Sequence, residues 1–186
     1  MQNAYLMAAA VLVAYALGAA DVIDAAIEQY SGIDMEPNIR AFLKMIRVGE
    51  GTADAGGYTR LVGGGTFYDF SDHPRTLVHV RAGLDSTAAG AYQFLVGTWD
   101  EVARKLGLSD FSPASQDLAA VQKLKDRGAY ADVVAGRINA ALSKVSYEWA
   151  SLPPFRYGGQ GTMTNTKARA VFLAAGGSLN DGSIFA

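Results

Sequence analysis

The sequence contains no cysteine. That excludes disulfide staples, thiol nucleophiles and cysteine-based metal sites, and it leaves the compartment open, since a periplasmic protein of this size can fold without disulfides. Histidine is almost as scarce, with only His73 and His79. A zinc hydrolase keeps three protein ligands, commonly more than one of them histidine, and neither histidine stands in HExxH spacing. No metal is therefore expected, and both histidines read as structural. No Gly-Lys-Ser/Thr follows Gly63-Gly64-Gly65, so a phosphate loop is excluded and no cofactor is expected. Basic runs with interleaved aromatics are missing too, which argues against a nucleic-acid partner.

Basic residues are absent from the first part of the chain. Before Arg40 there is no lysine or arginine, while Asp21, Asp24, Glu28, Asp34 and Glu36 give that stretch a charge of -5. From Arg40 onward 16 basic residues face 13 acidic ones, a balance of +3 that suits an acidic polymer such as the cell wall. Residues 1 to 20 carry no charged side chain at all. Their length matches a bilayer core of roughly 30 Å, but the run is rich in alanine, and only Leu6, Met7, Val11, Leu12, Val13 and Leu17 are strongly lipophilic. Three readings are open. A cleaved signal would use Gly18, Ala19 and Ala20 but lacks a basic n-region. A buried helix needs no membrane. A weak anchor through residues 4–20, cheap to extract from lipid, is the favoured reading, and it places the body of the chain in the periplasm before release.

What is present is an ordered globular composition, with 50% hydrophobic and 18% charged residues over 186 positions. Residues 21–36 read as a helical extension and linker, and residues 37–186 as one compact domain. Pro37 suits a first helical turn, and Ile39, Phe42, Leu43 and Ile46 form an apolar stripe that runs out at Gly49-Glu50-Gly51. Residues 56 to 81 alternate β-formers with glycine and predict a small, irregular antiparallel sheet. Further helices are predicted after Thr98, whose spacing to Glu101 fits a capping box, after Ser112-Pro113, from Ile138 to Trp149, and from Lys167 to Ala175. The fold class is α+β, mainly helical with one small sheet.

Cleaving a glycosidic bond requires a proton on the departing oxygen, hence a carboxyl group still protonated near neutral pH. Glu50 suits that role: a helix end disfavours an anion, and Gly49 and Gly51 leave room for a substrate. Asp69 and Asp72 fall in the predicted sheet, where a hydrolysing lysozyme would keep a second carboxylate. The other reading, favoured for Asp72, is that it orders the turn Ser71-Asp72-His73-Pro74. Tyr68 and Ser71 read as sugar contacts rather than catalysts, and Asp72 is counted with them among the substrate-binding candidates. Trp99 and Trp149 lie on apolar helix faces and read as core. Tyr157 and Gln160, in a glycine-rich loop, suit sugar contact or no function, and Gln116 reads as a buttress.

Five ordered segments carry a resemblance: Ala41 to Thr52, Tyr68 to Arg75, Ser86 to Gln93, Phe111 to Asp117, and Ala150 to Pro153. Together they make residues 38 to about 177 resemble the endolysin family of bacteriophage lambda, whose members are lytic transglycosylases with a lysozyme-like fold. The resemblance implies that Glu50 is the catalytic acid and that Gly90, Tyr92 and Gln93 line the cleft beside it. It puts Gly49 where a serine often stands in that family. The implied substrate is the peptidoglycan glycan strand, cut between N-acetylmuramic acid and N-acetylglucosamine by a single glutamate, with a 1,6-anhydro ring as product. A monomer is the expected state. Two alternatives stay open: a hydrolysing muramidase using Glu50 with Asp72, and a lysozyme-like wall-binding module without activity.

Overall fold

The computed structural model describes residues 35–156 and 163–181. The expectations for residues 1–34, and for Tyr157 and Gln160, lie outside them. Among the described residues six helices and one hairpin follow in order: α1 (Pro37–Glu50), β1 (Val78–Arg81), β2 (Leu84–Ser86), α2 (Val96–Leu106), α3 (Pro113–Asp126), α4 (Tyr130–Val134), α5 (Ile138–Val145) and α6 (Asn165–Ala174). The described chain divides into two compact units, one of residues 51–119 and one of residues 35–50 with 120–181. Among the described residues no helix is long and apolar enough to cross a membrane.

In the second unit, α1 begins where Glu36 accepts a hydrogen bond from the Ile39 amide (3.0 Å), satisfying a donor that the first turn leaves open. Its stripe is fully buried, Ile39, Phe42 and Ile46 being at most 1% exposed. It packs against α4 and α6, with the rings of Phe42 and Phe172 edge to face at 6.5 Å. Asn38 ties down the start of the helix, donating to the Val134 carbonyl (2.9 Å) and accepting from the Ser178 amide (2.8 Å). The helix stops at Glu50 because Gly51 takes φ +72°, a left-handed conformation that glycine reaches without a Cβ penalty.

The first unit is built on an aromatic core. The Phe111 ring meets those of Trp99 at 4.6 Å, His73 at 4.9 Å and Phe67 at 5.7 Å. Its sheet is not where the alternation of β-formers placed most of it. Arg60 and Thr66, and Leu61 and Ala89, make only isolated bridges, and short 3-10 turns occupy Gly57–Thr59 and Val62–Gly64. Gly63 and Gly64, at φ +79° and +96°, close a tight loop in which the Leu61 amide donates to the Gly65 carbonyl (2.7 Å), so no ladder can extend. The paired strands are β1 and β2, joined through Ala82-Gly83 with a register shift between His79 and Arg81.

Helix limits differ from the sequence reading for local reasons. Helix α2 starts at Val96 rather than after Thr98, its first amide donating to the Thr87 hydroxyl across nine residues (3.1 Å), a partner that local spacing does not reveal. Helix α5 ends at Val145, and Trp149 is reached by turns. Thr164 caps α6, so that helix begins two residues before Lys167. Both tryptophans are buried, at 2% and 3% exposure.

Candidate active site

Glu50 is the last residue of α1 and is half-buried. Burial raises its carboxyl pKa above the ordinary glutamate value, partly offset by one hydrogen bond, from the Ser151 hydroxyl to Oε1 (2.5 Å). Desolvation is thus the main cause of the shift, where the sequence pointed to the helix end. The segment carrying Ser151 is firmly held. Trp149 and Leu152 are buried, the Leu152 amide donates to the Trp149 carbonyl (3.1 Å), and the Met163 amide donates to the Ser151 carbonyl (3.3 Å). Ser151 falls in the Ala150 to Pro153 segment of the resemblance, but nothing in the chain shows a serine 101 positions away to be a partner of Glu50.

The other described candidates belong to the first unit. Immediately after Glu50, the Arg60 guanidinium donates to the Gly51 carbonyl (2.7 Å) and pairs with Asp54. The Thr52 hydroxyl donates to the Ala91 carbonyl (2.5 Å), linking this strand of chain to residues 90–93. That segment is held from beneath. Gln116 is fully buried, accepts from the Ala91 amide (2.8 Å) and donates to the carbonyls of Tyr58 (3.1 Å) and Phe111 (2.8 Å), which gives the buttress expected of it a definite form. Asp117 accepts from the hydroxyls of both Tyr58 (2.9 Å) and Tyr92 (2.6 Å).

This geometry corrects part of the expectation for residues 90–93. Gly90 is buried, and Tyr92 is 1% exposed with its hydroxyl committed to Asp117, so both shape the segment from within rather than face a sugar. Gln93 is half-buried at φ +48°, its amide group donating to the Gly90 carbonyl (2.9 Å).

Tyr68 is 71% exposed and Ser71 is exposed. Asp69 accepts from the Ser71 amide (2.8 Å), which lowers its pKa. Asp72 lies in irregular chain rather than in a strand. It accepts from Arg75 Nε (2.7 Å), the His73 amide (2.7 Å) and Trp99 Nε1 (3.3 Å). The Arg75 bond is the chief reason that its pKa is lowered. Arg75 also pairs with Asp100 (2.6 Å). These bonds tie the 71–75 turn to α2. His73 is buried, which lowers its pKa and keeps it neutral; Nε2 donates to the Phe94 carbonyl (2.9 Å) and Nδ1 accepts from the Arg75 amide (3.1 Å). His79 pairs with Asp85 on the exposed hairpin (2.7 Å). Among the described residues no group of acidic or histidine side chains could hold a metal ion.

Comparison with known proteins agrees with this architecture. The family described as Endolysin matches residues 40–179. The endolysin of Escherichia phage lambda is 41% identical over 155 residues, covering 80% of this chain and 98% of its own. The chain belongs to the endolysin family. The endolysin of Escherichia phage P2 is 42% identical over 160 residues, covering 78% of this chain and 96% of its own. Two solved structures of bacteriophage lambda lysozyme share the fold: one complexed with a chitohexasaccharide, at TM-score 0.75 and 40% identity, and another at TM-score 0.71 and 41% identity. Each covers 80% of this endolysin and is itself 99% covered. The fold is therefore lysozyme-like, mainly helical with one small antiparallel sheet.

Proposed function

We propose that the chain cleaves peptidoglycan glycan strands as a lytic transglycosylase, with Glu50 serving in turn as acid and base. Glu50 protonates the oxygen linking N-acetylmuramic acid to N-acetylglucosamine, and that bond breaks. The resulting carboxylate then takes the proton of the muramic C6 hydroxyl, whose oxygen bonds to C1 and closes the 1,6-anhydro ring. No water is consumed, and Glu50 ends as it began. The observation that carries this reading is the burial that raises the pKa of the Glu50 carboxyl, the direction a general acid needs. The Asp69 and Asp72 carboxylates are occupied by local donors, which favours one-carboxyl chemistry over a pair. The chitohexasaccharide bound to lambda lysozyme supports a glycan substrate. Tyr68 and Ser71 are the sugar contacts best supported by exposure, with Asp72 holding the turn beside Ser71.

The products test this directly. Muropeptides from a wall digest are expected to end in anhydro-muramic acid, one water lighter than a reducing end. Reducing ends would instead establish hydrolysis, and a failure to clear a wall suspension would leave only a binding module.

We further propose that residues 4–20 tether the endolysin to the inner membrane of the host, with its body in the periplasm until release. The support is the absence of charge in residues 1–20 and of any basic residue before Arg40. Fractionation is expected to find the full-length chain in the membrane pellet and, after depolarisation, in the soluble fraction at unchanged mass. A chain always soluble, or shortened near Ala20, would refute the tether.

A further inference from the structure

We propose that Ser151 is a positioning residue for Glu50, its hydroxyl fixing Oε1 as the acceptor so that Oε2 carries the proton to be delivered. The inference rests on Glu50 being the acid of the reaction. A protonated carboxyl group has one hydroxyl oxygen and one carbonyl oxygen. A donor aimed at Oε1 at 2.5 Å makes that atom the carbonyl oxygen and leaves the proton to Oε2. When the proton departs, the same hydroxyl donates to a carboxylate, and a hydrogen bond to an ionised acceptor is stronger than one to a neutral acid. Ser151 therefore favours the state reached after proton transfer. It also limits how far burial can raise the affinity of Glu50 for its proton.

The local sequence is built for this approach. A Cβ at Gly49 would lie 2.8 Å from Ser151 Oγ and 3.1 Å from Leu152 Cδ2, so the bare helix position admits the hydroxyl to the end of α1. The side chains closing on that position are Ser151, Leu152 and Met163, none of which carries a charge. The nearby charged residues of the segment are engaged elsewhere. Glu148 pairs with Lys123 and Arg127, and Arg156 lies over the Tyr147 ring and donates to Ser146 Oγ and the Ser143 carbonyl. Burial raises the pKa of the Glu50 carboxyl and the Ser151 hydrogen bond lowers it.

The test is carbon-13 NMR titration of the Glu50 carboxyl, assigned with the Glu50→Gln variant, beside the pH profile of wall cleavage. In Ser151→Ala the titration midpoint is expected to rise, since a bond favouring the charged form is lost. The alkaline limb of kcat should follow it upward, with plateau kcat reduced about tenfold and KM little changed. A purely structural serine would lower activity without moving the midpoint. Gly49→Ala keeps both Glu50 and Ser151 but crowds the hydroxyl away, and its midpoint should move in the same direction. An unmoved midpoint in either variant would overturn the inference. Full activity in Glu50→Gln would refute the catalytic reading alone, because the titration judges the Ser151 contact independently.

Discussion

Glu50→Gln is expected to reduce wall cleavage by about 10³-fold or more, the scale of a general acid with no substitute. The amide keeps the size of the side chain and an acceptor for Ser151, but it has no proton to give. Turbidity clearing at equal concentration of folded protein measures the loss, and activity within a few-fold of the parent would end the single-carboxyl reading. The same substitution has a second, opposite effect. Burial raises the folded pKa of Glu50 above its ordinary value near 4.5. The carboxyl is thus easier to bury protonated, and its contribution to stability is fully present below the unfolded pKa and lost as pH rises through the folded one. A neutral amide avoids that loss. The variant should therefore melt above the parent at pH values beyond the folded pKa, and the gap should close in acid. An inactive but stabilised variant would show the fold accepting a destabilising group for its chemistry.

Gly90→Ala is expected to cost roughly 3 kcal/mol or more, from left-handed strain together with loss of buried hydrogen bonds. Gly90 sits at φ +78°, and a Cβ there would fall 2.3 Å from Gln116 Oε1 and 3.0 Å from Phe111 Cζ. Gln116 cannot yield cheaply, because it is fully buried and bonded to Ala91, Tyr58 and Phe111 at once. Displacing it strands several buried polar groups, each expensive to leave unmade. A drop of about 6–12 °C in melting temperature follows from that free energy for a chain of this size. An unchanged melting temperature would mean that the loop accommodates the methyl group and that the Gln116 buttress is soft.

These two residues also mark what could be read from the chain. Glu50 was legible as a candidate because its flanking glycines and its position at the end of an amphipathic stripe lie within Pro37–Glu50 and the glycine after them, while its proposed role came from the family resemblance. Gly90 and Tyr92 stood out in a segment of the family resemblance, but their partners did not. Nothing local shows that the Tyr92 hydroxyl is spent on Asp117, twenty-five residues on. The sheet was misplaced for a related reason. β-Formers at Thr59 to Val62 alternate well, but the three glycines after them close a tight loop, and the actual ladder forms where Val78–Arg81 meets Leu84–Ser86.

By itself, the sequence determined whatever depends on short-range periodicity and on residue type: helix α1 and the glutamate at its end, the helical character of the rest, the exclusion of thiol chemistry, and a family resemblance later supported by 41% identity to the lambda endolysin. Tertiary structure alone decided the partners of those residues. It set Ser151 against Glu50 across 101 positions, closed Asp117 on two tyrosines, and bonded Asp72 to Arg75 and Trp99. The physical reason is that desolvation and hydrogen bonding act between groups brought together by packing, and separation along the chain carries no record of which groups those will be.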